Sequence, residues 1–243
     1  MSSSRPRRLT RRAGLAAAAG LLAGAGAVAA RPAGPAVDSA AAAVLPPAPA
    51  DGMRGPSMFV LGDSWAAGLH ADPDDALGQV AARVLRSSVR VDAISGTGYL
   101  NPAGARTYPD RAAAAHGDEQ LVVVQGGSND GSQDLDALAG AVRETVARLQ
   151  SGFPGAALVL LGPGPDPLPV TSGQRRVDEI IAGAAKAIGV PYVSMLQQDW
   201  IPEDRADAVI DPATAHPTPQ GQEYLGIRLA AALHLVVPEV VSA

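Results

Sequence analysis

From residue 57 to the C-terminus, short apolar runs alternate with segments whose apolar residues recur every three or four positions. Few folds accommodate that pattern. The runs SMFVLG (57–62), VRVDAI (89–94), QLVVVQ (120–125), AALVLLG (156–162) and PYVSM (191–195) read as buried strands. Between the first two, Asp72-Pro73 opens a helix that carries Leu77, Val80, Ala81, Val84 and Leu85 on one face. Residues 133–149 place Leu135, Leu138, Val142, Val146 and Leu149 at helical spacing, with Asp130 or Ser132 as the cap. Thr171 and Gln174 form a capping box before Val177, Ile180, Ile181, Ala184 and Ile188. Thr218-Pro219 starts a last helix with Leu225, Leu229, Leu233 and Val236. Strands without a polar face, separated by amphipathic crossovers, predict an α/β domain of three layers, helices covering both faces of a central, mostly parallel five-stranded sheet. Ligands in such domains bind at the carboxyl ends of the strands. The residues that follow strands are therefore the ones to inspect.

The first strand runs into Gly62-Asp63-Ser64-Trp65. A strand-to-helix turn there lifts the Ser64 hydroxyl above the sheet, and helix-start N–H groups favour an anion beside it. The bland alternative is a serine cap after a glycine turn. The second strand runs into Ser95-Gly96-Thr97-Gly98-Tyr99, where glycines permit a tight turn or close approach of backbone to a ligand. The third runs into Gly126-Gly127-Ser128-Asn129-Asp130, where the Asn129 amide is a potential donor and a polar turn is the alternative. Near the C-terminus stands Ala215-His216-Pro217-Thr218-Pro219, just before the last helix. The other histidines, His70, His116 and His234, have no supporting motif.

The order and content of these four segments resemble the SGNH (GDSL-like) hydrolase superfamily, over residues 57–235. The resemblance implies a flavodoxin-like sheet and a serine hydrolase acting on esters. It implies Ser64 as nucleophile, His216 as general base, and an oxyanion hole of Ser64 N–H, Gly96 N–H and the Asn129 side chain, with Gly98 as the fallback for Gly96. The chain departs from the family at the acid. The family places Asp three residues before His, and that position is Ala213 here. The nearest candidate is Asp211, five residues before His216. Either a longer loop brings Asp211 to the ring as the third triad member, or a backbone carbonyl orients the ring and leaves a Ser–His dyad. The mechanism needs no metal and no cofactor.

The N-terminus has a different character. RPRRLTRR (5–12) carries five arginines, and AGLAAAAGLLAGAGAVAA (13–30) carries no charge. A basic segment, an apolar segment and a small-residue site at Ala27-Val28-Ala29 describe a secretory signal. Arg11-Arg12 resembles a twin-arginine signal. An uncleaved anchor is the alternative, but alanine and glycine make the stretch weakly hydrophobic. Residues 31–56 are rich in Pro, Ala and Gly and read as a linker. The expected organisation is a signal over 1–30, a linker over 31–56 and a hydrolase domain over 57–243. Cleavage removes five of 19 basic residues and none of 24 acids, which leaves a formal charge of about −10. That balance argues against nucleic acid and anionic lipid as partners. With no cysteine, disulfides and thiolate chemistry are excluded.

The expected protein is a monomeric esterase, exported to the cell envelope or beyond, without stable membrane insertion once the signal is gone. Its substrate is a small acyl ester. Two readings compete: a carbohydrate O-deacetylase using the same residues, and a catalytically silent binding protein on the same scaffold, favoured by the altered His segment. A nucleotide-binding α/β protein is disfavoured, because Gly96-x-Gly98 lacks the full glycine fingerprint.

Overall fold

A computed structural model describes residues 55–166 and 168–242. The expected signal and nearly all of the expected linker lie outside the described residues. Strands β1 (Met58–Gly62), β2 (Val89–Ala93), β3 (Leu121–Gln125), β4 (Ala157–Leu161) and β5 (Tyr192–Val193) pair in parallel in the order β2-β1-β3-β4-β5. Successive side chains of a strand point to opposite faces. Met58 and Val60 accordingly pack with helices α1 (Leu77–Leu85) and α6 (Pro219–Val236). Phe59 and Leu61 pack with α2 (Tyr108–Ala114), α3 (Leu135–Gly152) and α4 (Ser172–Ile188) on the other side. The same alternation divides Leu121 and Val123 from Val122 and Val124. Strands buried on both faces explain their unbroken apolar sequence. This is the expected three-layer α/β/α fold.

Chain order reverses beside β1, between β2 and β3. Connections leave in opposite directions there, opening a crevice at the strand ends. Ser64 lies just past β1 and Asn129 just past β3, on that crevice.

Several elements differ from the sequence expectation. Asp72 caps a single 3-10 turn, Pro73–Asp75, and α1 starts only at Leu77. The cap of α3 is Asp134, whose side chain accepts the Asp136 N–H. β5 pairs over two residues, because Ser194 turns to donate to the Asp178 carboxylate of α4. Helix α2 is unexpected altogether, being short, alanine-rich and without apolar periodicity. It has a structural task. Arg111, buried, donates to Gly62 O (3.1 Å), Thr97 Oγ1 (2.9 Å), and both the carbonyl and the carboxylate of Asp92. Tyr108 donates its hydroxyl to Gln125 O (2.8 Å). Side chains of one helix thus clamp the carboxyl ends of β1, β2 and β3.

The chain between β5 and α6 contains α5 (Ala206–Val209) and a small hairpin of β6 (Ile210–Asp211) and β7 (His216–Pro217). Asp211 and His216 are antiparallel partners in it.

Candidate active site

Ser64 follows β1 in a turn held by its neighbour. Trp65 N–H donates to Asp63 Oδ1 (2.9 Å), and Ala67 N–H donates to Asp63 O (2.9 Å). The turn lifts the Ser64 hydroxyl towards the C-terminal hairpin, and Ser64 is only 7 % exposed. Its Oγ lies 2.9 Å from His216 Nε2, across 152 residues of sequence. The other ring nitrogen, Nδ1, meets Thr214 O at 2.5 Å. A carbonyl can only accept, so Nδ1 carries the proton and the Nε2 lone pair faces the hydroxyl. That tautomer can remove a proton from serine.

Asp211, expected at the imidazole, is placed elsewhere. Its Oδ1 accepts Ala213 N–H (2.9 Å), and its carbonyl accepts the N–H groups of Thr214 (3.1 Å) and Ala215 (2.8 Å). Ala215 takes φ 61 to close the turn. The two extra residues before His216 are absorbed in this Asx turn, which draws the carboxylate to its own backbone and swings the Thr214 carbonyl to Nδ1. Of the two arrangements left open by the sequence, the carbonyl-oriented ring is the one observed.

Sequence reasoning missed another carboxylate. Asp166, on the loop after β4, lies in a cleft with Leu168, Ala206, Asp207, Ile210 and Pro212. Burial pushes its carboxyl above the ordinary value, and the charge of His216 pulls it down. Its only sequence signal is its place after a strand, in Gly162-Pro163-Gly164-Pro165-Asp166.

The expected N–H donors line the crevice. Neither Ser64 N–H nor Gly96 N–H has an acceptor among the described residues, and Gly96 sits at φ 78. Gly98, the fallback, is committed, donating its N–H to Asn101 O (2.8 Å). A Cβ on Gly98 would lie 2.5 Å from the Asp130 carboxylate, so glycine is needed there for close approach. Asp130 accepts the N–H groups of Tyr99 (3.0 Å), Leu100 (2.8 Å) and Asn101 (3.1 Å), fixing the loop after β2. Asn129 Nδ2 donates to Thr97 O (2.9 Å) and approaches Asp63 Oδ2 only at 3.5 Å. At that separation the second amide proton is weakly held. Behind the serine, burial pushes the Asp63 carboxyl up to about 7, against the Trp65 N–H, Gln125 and the Arg111 charge, which lower it.

His70, unsupported by any sequence motif, lies at the mouth. Its ring meets that of His216 edge to face, with centroids 5.5 Å apart. Among the described residues no group of three or more His, Cys, Asp or Glu side chains is arranged to hold a metal ion.

The profile of the GDSL-like lipase/acylhydrolase family matches residues 60–224. Among solved structures, a carbohydrate esterase family 2 enzyme with a carbohydrate binding domain, from Corynascus thermopiles (Myceliophthora fergusii), superposes with a TM-score of 0.60 at 21% identity. The match covers 80% of this chain and 69% of that one. A carbohydrate acetylesterase from Sinorhizobium meliloti gives 0.60 at 17% identity, over 75% and 99% of the two chains. A family two carbohydrate esterase from Cellvibrio japonicus gives 0.60 at 19% identity, over 79% and 62%. At such identities the likeness is one of fold. No curated protein matches the chain in sequence.

Proposed function

Because the chain belongs to the GDSL-like lipase/acylhydrolase family and is an ester-hydrolysing enzyme, we propose that Ser64 is its nucleophile, His216 its general base, and Ser64 N–H, Gly96 N–H and Asn129 Nδ2 its oxyanion donors. The observation that carries this reading is the 2.9 Å approach of Ser64 Oγ to His216 Nε2, with Nδ1 held by Thr214 O. A serine hydroxyl is a weak nucleophile until a base takes its proton. His216 Nε2 accepts that proton as Oγ attacks the ester carbonyl carbon. The carbonyl oxygen becomes an oxyanion between the three donors, which were placed by the turns after β1, β2 and β3 before substrate arrived. His216 returns the proton to the alcohol oxygen as the C–O bond breaks, leaving an acyl-Ser64. Water, deprotonated by the same imidazole, attacks the acyl carbon, and the imidazolium returns that proton to Ser64 Oγ as the acyl–Oγ bond breaks and the acid leaves.

In this reading Ser64 and His216 work as a dyad, with the ring held by the Thr214 carbonyl. That carbonyl fixes tautomer and orientation, and Asp211 serves the hairpin. Asp166 supplies the negative field for the transient imidazolium. A carbohydrate O-deacetylase is the second reading, supported by the esterases that share the fold and are described as acting on carbohydrates. We place the enzyme outside the cytoplasm, on the strength of its basic and apolar N-terminus.

A fluorophosphonate probe tests the reading. It should label the native chain at Ser64 and leave the heat-denatured chain and Ser64→Ala unlabelled. An unlabelled native chain would favour the silent binding protein. Hydrolysis of 4-nitrophenyl acetate beside acetylated xylan separates a general esterase from a deacetylase.

A further inference from the structure

We propose that His70 is the residue that selects the alcohol half of the ester, and that it favours a hydroxylated alcohol. The proposal rests on the reading of Ser64 and His216 given above. The departing alcohol oxygen must collect its proton from His216 Nε2, so the alcohol leaves past that ring. The oxyanion donors Gly96 and Asn129 stand on the loops after β2 and β3, whereas His70 lies on the segment between Ser64 and α1, with its ring against His216. Its imidazole is exposed and lies edge to face with His216. A group lying there meets the alcohol, not the acyl chain.

The backbone at His70 carries a cost that burial does not offset. Its φ is 70, in a turn closed by Ala71 N–H donating to Gly68 O (2.8 Å). Glycine takes that conformation freely, whereas a side chain there costs on the order of 1 kcal/mol. An exposed ring recovers little of this by packing. What the position gains is an imidazole at the entrance, with one donor and one acceptor nitrogen. Asp166, half-buried on the loop after β4, adds a carboxylate acceptor in the cleft it shares with Asp207 and Ile210. Trp65, next to the nucleophile in the chain, is buried beneath Gly164, where a Cβ would lie 2.2 Å from the ring. It offers no apolar platform to an alkyl or aryl alcohol.

The test compares two acetyl esters of secondary alcohols on six-membered rings: a monoacetate of methyl xyloside, and cyclohexyl acetate. They differ chiefly in hydroxyl groups. His70→Gly relieves the backbone, so its thermal midpoint should equal or exceed that of the unaltered chain. The ratio of kcat/KM for the xyloside ester over the cyclohexyl ester should fall about tenfold in His70→Gly, the size of one lost hydrogen bond, and the change should lie mostly in KM. His70→Asn, which tolerates the same φ and keeps a donor and an acceptor, should fall between. A ratio that is unchanged in His70→Gly overturns the proposal, including the case in which both esters lose rate equally. Fluorophosphonate labelling of Ser64, run on the same samples, separates the two readings. Labelling with an unchanged ratio removes only the role of His70, and an unlabelled native chain removes both.

Discussion

Asp63 stands directly behind the nucleophile, where burial pushes its carboxyl to about 7. The folded chain therefore holds this proton more tightly than the unfolded chain. Its contribution to stability is whole below pH about 4 and is lost as the pH rises through about 7. Asp130, also raised by burial, acts in the same direction. Asp63→Asn carries no titrating proton, so its stability relative to the unaltered chain should improve as the pH is raised from about 4 to about 8. Urea midpoints measured across that range check the sign, and parallel curves would assign the slope elsewhere. Asn129→Ala should lower kcat by about 10²–10³, as expected for one oxyanion donor. Asp211→Ala should lower it by less than about tenfold, since a triad acid is worth about 10⁴ and this carboxylate is held by Ala213 N–H. Steady-state kinetics on one ester ranks the two. At this scale the turns carrying Ser64, Gly96 and Asn129 were legible because each follows a strand, and the segment carrying His216 because it precedes a helix; the structure brings Ser64 and His216 to 2.9 Å. The Thr214 carbonyl was not legible, because every residue has a carbonyl and only the turn geometry decides which one meets the ring. His70 was not, because its place depends on a positive φ that no local motif announces.

Helix α2 shows what a small element can hold in place. Arg111 ties β1 and β2 to the loop carrying Thr97, and Tyr108 ties down β3. Arg111→Met should cost about 3 kcal/mol, because it removes the buried guanidinium from the Asp92 carboxylate and carbonyl, from the Thr97 hydroxyl and from Gly62 O, the last of which keeps only the Ile94 N–H. Chemical denaturation measures the loss. Activity in dilute denaturant should fall earlier than global unfolding, since Gly62 and Thr97 border the oxyanion hole. The long helices and the strands were legible from their periods, and the Thr171 capping box is present as expected. Helix α2 was not, because seven alanine-rich residues give no period to read and its placement comes from Arg111 and Tyr108 reaching other elements. β5 was read too long, because the run 191–195 is apolar throughout most of its length while Ser194 leaves the sheet for Asp178.

For the whole molecule, parallel pairing followed from the alternation of strand and helix, since crossover helices impose it, whereas the order β2-β1-β3-β4-β5 is seen only in the structure, because alternation does not say which strands are neighbours. The export signal proposed from the basic and apolar N-terminus lies upstream of this domain, and it makes its own prediction. Lysine at both Arg11 and Arg12 keeps the charge but removes the paired guanidinium groups. In a bacterial host with a twin-arginine export route, that double variant should be retained inside the cell, while the unaltered chain reaches the medium with an N-terminus near residue 30 by intact mass. Equal export of both would point to the general secretory route. The described chain enters the sheet through β1, whose five residues run from Met58 towards Ser64. That strand spans about 17 Å. A bead or tag joined through the chain just before Met58 would therefore grip the rim opposite the crevice, leaving Ser64 and His216 turned away from the attachment.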